Sequence, residues 1–206
     1  DDVLNFSIKL KSILNPYFIP EVIMLNKETV IYTDVNNKGL TGIISFNRST
    51  KKSEVIHKTS EVSTRIELCQ SKSSIFVGLF PYTTPYKSHI YKFEKGSINF
   101  QKSRPIYTSK SNDLGHIVCN QNKDNISFIQ EVNKEKNFHE VVTFNLKDKK
   151  INTLSSVKYA TQFYNMDGKL ILPFRGQYFI LDGDQEFGDD SLSGDKKSTS
   201  GVLNEQ

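Results

Sequence analysis

Four histidines, two cysteines and a late run of carboxylates are the side chains of this 206-residue chain best suited to chemistry. Asp182, Asp184, Glu186, Asp189 and Asp190 crowd around an Asp182-Gly183-Asp184 turn. Hard oxygen donors of this kind hold calcium, but their spacing does not match the helix-loop-helix calcium loop. Asp182, Asp184 and Glu186 are therefore a weak calcium candidate, and a solvated acidic tail is the expected reading. His57, His89, His116 and His139 are scattered. None stands at zinc-site spacing from a Cys or another His. His116 lies three residues before Cys119, yet positions three apart on a strand point to opposite faces. Structural or solvent-facing histidines are expected. No nucleophile elbow, phosphate-cradling glycine loop or dinucleotide fingerprint is present. Glu67, on a presumed inner strand, is the one carboxylate worth watching for hydrolytic chemistry. No catalytic residue and no cofactor is assigned.

Cys69 ends Thr64-Arg65-Ile66-Glu67-Leu68-Cys69, and Cys119 ends Gly115-His116-Ile117-Val118-Cys119, so the two hold matching places in successive segments. Buried free thiols packing as small hydrophobes are expected. A bridge needs Cα atoms within about 7 Å, a separation that adjacent inner strands narrowly miss.

The elements around these residues repeat. Two apolar strands lead to a third that ends in Phe or Ile plus a polar turn: Ile43–Asn47, His89–Glu94, Val141–Asn145 and Gln177–Asp182. Phe46, Phe93 and Phe144 stand 47 and 51 residues apart, and Ile180 follows 36 later. β-Branched and aromatic residues fill the segments, and Asn and Gly fill the connections, as hairpins require. Predicted fourth strands are Ser53–His57, Ser97–Phe100 and Lys150–Leu154. Pro173 predicts a bulge or a widening of the hairpin in the fourth repeat. After Leu181 the pattern stops, and no fourth strand follows in that repeat.

Over residues 21–181 the chain resembles β-propeller repeats as a class, whose blades recur about every 40–50 residues. No Trp-Asp ending or kelch glycine pair narrows this to a family. The resemblance implies an all-β fold of about 3.5 blades plus an N-terminal strand, Val3–Leu10, with a β-sandwich as the rival. The propeller-like domain is expected over 1–187 and a flexible polar tail over 188–206. An open arc exposes apolar faces and a strand edge, which natural sheets avoid. Either the arc joins a missing part of the same protein or another copy, or the leading strand closes a small four-bladed form; the first is favoured.

The composition, 36% hydrophobic with 14 Phe and 9 Tyr, argues against wholesale disorder. No run of 18 apolar residues predicts a spanning helix. No leader pattern opens the chain, and Asp1-Asp2 suggests a fragment or a processed chain. An intracellular setting is favoured slightly over a secreted or luminal one. The three glycan acceptor sequences, at Asn5, Asn47 and Asn125, are as many as chance supplies and do not alter that. The +4 charge gathers around Arg48, Lys51, Lys52 and Lys58 and around Lys102, Arg104 and Lys110. That is too dispersed for a nucleic-acid interface. The leading expectation is a non-catalytic protein-interaction scaffold, a subunit of a larger protein or complex. Contacts are expected from the loops that deviate most from the repeat, at Tyr82, Tyr86, Arg104, Tyr107 and Phe138. Aromatic and Arg side chains are favoured at binding hot spots. The alternative is a propeller enzyme or small-ligand binder that uses the central channel for sugars or peptides.

Overall fold

In the computed structural model the described residues are 21–187, apart from 37, 63, 82–86, 97, 110–113, 121–124, 134–137, 159–162, 167–168, 175–176 and 182–184. The expected leading strand Val3–Leu10 and the tail 188–206 lie outside them.

Four antiparallel meanders follow one another. The first blade is β1 (Val22–Met24), β2 (Thr29–Val35), β3 (Leu40–Asn47) and β4 (Lys52–Val62). The second is β5 (Thr64–Gln70), β6 (Ser74–Pro81), β7 (His89–Glu94) and β8 (Tyr107–Thr108). The third is β9 (Leu114–Cys119), β10 (Asn125–Asn133), β11 (Phe138–Asn145) and β12 (Ile151–Lys158). The fourth holds β13 (Tyr164–Met166), β14 (Lys169–Phe174) and β15 (Gln177–Leu181). Beyond Leu181, where the pattern stops and a solvated acidic tail is expected, β16 (Gln185–Phe187) returns to the third blade and pairs in parallel with β12.

Asparagines shape the hairpins. Asn26 Oδ1 accepts from the Glu28 and Thr29 amides at 2.8 Å, and Asn36 Oδ1 accepts from Lys38 at 2.8 Å and Leu40 at 3.1 Å. These side chains mimic a backbone turn and so end each strand at a fixed place. Gly39, at φ 75°, supplies the left-handed residue of the second turn.

Both faces of the middle blades are buried, which explains why their central strands read as continuous apolar runs. In β6, Ile75 and Val77 face the first blade and pack with Ile31, Ile43, Ile66, Leu68 and Phe93. Phe76 and Phe80 alternate to the opposite face and pack with Ile117, Ile126, Phe128 and Phe144 of the third blade. Ile129 and Val141 meet Phe163, Leu172 and Leu181 at the third seam. A polar stitch joins the first two blades as well: Thr41 Oγ1 donates to the Thr64 carbonyl at 2.7 Å, and the Thr41 carbonyl in turn accepts from Thr59 Oγ1 of the same blade at 3.0 Å.

Two local expectations are corrected. The described part of the expected strand Ser97–Phe100, from Ile98 on, is not a strand. Asn99 Oδ1 accepts from the Gln101 and Lys102 amides at 3.1 and 3.3 Å, which starts a 3-10 turn at Phe100–Lys102, and the fourth strand of that blade comes later, at β8. Pro173 makes no bulge: it pairs with Tyr178 in unbroken register. β13 pairs only with Lys169–Ile171, so the edge of β14 where Pro173 lacks its donor has no β13 residue opposite.

Candidate functional site

The inner strands β1, β5, β9 and β13 neighbour one another in sequence order around the axis. On them, titratable side chains from three blades converge. Glu67 of β5 is 7% exposed. Its Oε2 accepts from the Ile117 amide of β9 at 2.7 Å, and its Oε1 lies 3.1 Å from Arg65 Nε. That arginine nitrogen is buried and off the line of a hydrogen bond, so the contact is an ion pair. The guanidinium also lies 5.5 Å from the centre of the Phe80 ring. Its Nη2 occupies the space beside Gly115, 2.7 Å from where a β-carbon would stand.

His116 owes its place to a bulge. Ile117 pairs with Phe128 and Gly115 with Ile129, so His116 is the extra residue, with φ at 47°. This turns the ring to the axis. Nδ1 lies 3.7 Å from Glu67 Oε2, and Nε2 lies 2.6 Å from the Phe163 carbonyl at the start of the fourth blade. A carbonyl only accepts, so Nε2 carries a proton. The Phe163 ring meets the imidazole edge-on at 5.2 Å. Glu21, just before β1, completes the group. Burial first, and then the Glu67 charge, push its pKa from an ordinary 4.5 up to about 7, against a smaller downward pull from Arg65.

The thiols expected to be free are joined. Cys69 and Cys119 form a disulfide with Cα atoms 5.7 Å apart. The matching positions of β5 and β9 bring them within bridging distance, because the inner strands converge toward the axis more closely than expected.

Of the expected contact residues, the described ones stand at separate places in the second and third blades. Tyr82 and Tyr86 lie outside the described residues. Arg104 is exposed between the 3-10 turn and β8. Tyr107 is half-buried at the second seam, its ring 5.0 Å from Phe128 and 5.7 Å from Phe144, and burial raises its pKa. Phe138 opens β11 opposite Lys158. Of the calcium candidates, Asp182 and Asp184 lie outside the described residues and Glu186 belongs to β16. Among the described residues no three His, Cys, Asp or Glu side chains group closely enough to hold a metal. Sequence reasoning singled out Glu67 but missed Arg65 and Glu21. The signal for Arg65 was its alternation with Glu67 along one strand; Glu21 had none, since only the folded seam buries it.

No protein-family model matches the chain, and no curated protein does. Solved structures do. TolB from Acinetobacter baumannii superposes with a TM-score of 0.56 at 11% identity, over 78% of this chain and 39% of TolB. A chain of the nidogen/laminin complex gives 0.56 at 11% identity, over 78% of this chain and 59% of that one. The β-propeller domain of the Trilobed protease from Pyrococcus furiosus, described as having an open velcro topology, gives 0.50 at 16% identity, over 80% and 53%. The chain thus spans about 39–59% of the length of these three structures. Its four meander sheets, joined edge to axis in sequence order, are blades of the β-propeller fold.

Proposed function

We propose that this arc of blades is a non-catalytic protein-interaction scaffold, completed by further blades from the same protein or from a partner. One observation carries the reading. Val22, Tyr32, Ile44 and Val55 stand in register across β1 to β4, on the face opposite the one that meets the second blade. An apolar row across a whole blade is what a neighbouring blade covers. Its ends are open, with Val22 53% and Val55 61% exposed. Tyr164 and Tyr178 are similarly open on the fourth blade. The nidogen/laminin complex offers a parallel for a propeller engaged with another protein. The Cys69–Cys119 bridge supports a secreted or luminal setting over the intracellular one, because oxidising compartments sustain such bonds.

Sedimentation of the isolated chain tests the scaffold. It should self-associate, and Val22→Lys with Tyr164→Lys should reduce association. A soluble monomer with cooperative unfolding would refute it.

A second reading has its own observation, the convergence of Glu21, Arg65, Glu67 and His116 on the axis. In it the channel binds a small polar ligand such as a sugar. Oligosaccharide titration followed by NMR at the His116 ring tests it, and an unmoved ring at millimolar sugar would remove it.

A further inference from the structure

We propose that the outer edge of β4 receives an extended acidic peptide of a partner protein as an added strand, with alternate side chains entering the groove between the first and second blades. The inference rests on the scaffold reading and names its partner chemistry. Among the described residues, no strand pairs with the outer edge of β4 over Lys52–Ile56. Lys52, Ser53, Glu54 and Val55 are all exposed there. Beside this edge runs a groove of about 590 Å³, bounded by β4 and, from the second blade, by Gly96 and Ile98–Gln101. Ile56, Ile98 and Phe100 give it an apolar floor, and His57 stacks on Phe100 at 4.1 Å.

A strand added at sheet spacing sends alternate side chains to opposite faces. One set would enter this groove, and the other would lie beside Val55. The rim selects charge. Lys58 lines the groove beside Glu54, and the exposed Lys52 at the start of the same edge, with Lys51 before it and Lys102 next to Gln101 of the lining, add positive charge at its ends. The chain itself shows the mode of addition, since Gln185–Phe187 adds in parallel to the outer strand of the third blade. That segment is acidic and apolar in sequence, Asp184-Gln185-Glu186-Phe187, and stands as the template for the partner.

Lysines on an edge strand also serve simply to repel other strands, and the experiment separates the two roles. A fluorescent peptide copying residues 181–190 is titrated into the full chain, with anisotropy as the readout and amide NMR shifts as the map. Saturable binding is expected, with shifts at residues 52–58 and 98–102. Lys52→Glu with Lys58→Glu should weaken it about tenfold, with the loss deepening at low salt. A peptide N-methylated at alternate residues should not bind, because edge pairing needs its amides. Absent binding, shifts confined to 155–157, or equal binding of the methylated peptide would each overturn the proposal. Self-association through the Val22 face is read separately by sedimentation, so failure at the groove leaves the scaffold standing and is told apart from failure of the scaffold itself.

Discussion

Glu67 Oε2 accepts the Ile117 amide at 2.7 Å, so a carboxylate of one blade satisfies a backbone donor beside the bulge of the next. The bulge at His116 and the carboxylate are therefore one device. Glu67→Ala strands a buried amide and a buried guanidinium nitrogen together, and should cost about 2–3 kcal/mol. Glu67→Gln keeps an acceptor and should cost less. Urea unfolding midpoints at constant slope measure both; equal losses would show that charge, and not the acceptor, is what the seam uses.

The Cys69–Cys119 bridge closes a 50-residue separation. By chain entropy such a loop contributes about 4 kcal/mol. Cys69→Ala with Cys119→Ala should lower the thermal midpoint markedly, and reductant should do the same to the native chain but nothing to the variant. Thiol titration of the unfolded, unreduced protein should find no free thiol; two would mean that the pair is reduced.

Gly78 lies where β6 passes the third blade. A β-carbon there would run into the Phe80 ring and come within 2.6 Å of Ile117 Cδ1. Gly78→Ala should cost about 1–3 kcal/mol through overpacking, whereas Gly115→Ala meets only the guanidinium end of the Arg65 side chain and should cost less. Comparing the two by thermal unfolding checks the ranking.

Glu21 makes stability fall as pH rises. Its folded pKa, about 7, lies above the ordinary 4.5. The folded chain therefore binds the extra proton between these values. The contribution is complete below pH 4.5 and is lost as pH climbs through 7. Glu21→Gln should flatten the unfolding midpoint over that window; an unchanged slope would assign it to another group.

The blades were legible because their signals are local. Period-two alternation, the Phe46, Phe93 and Phe144 endings and the Asn turns each act within a few residues, and the strands fall where they predict apart from Ser97–Phe100 and the unforeseen Tyr107–Thr108 and Gln185–Phe187. Ser97–Phe100 misled because Ile98 and Phe100 alternate like a strand while Asn99 caps a turn, and a capping side chain overrides alternation. The site was half legible. Glu67 stood out on an inner strand, but the disulfide and the His116 contacts depend on how closely β5, β9 and β13 approach. That distance is set by packing between blades, which no single segment encodes.

The parallel pairing of β16 on β12 gives the chain a load path. Tension applied beyond Phe187 reaches the third blade directly, and the fourth blade sits inside a slack loop between the two paired strands. Those strands meet the pull in shear, with their hydrogen bonds loaded together rather than one at a time. Behind them the disulfide ties the third blade to the second, so a tug on the C-terminal side is borne by the middle of the arc while the last blade stays folded.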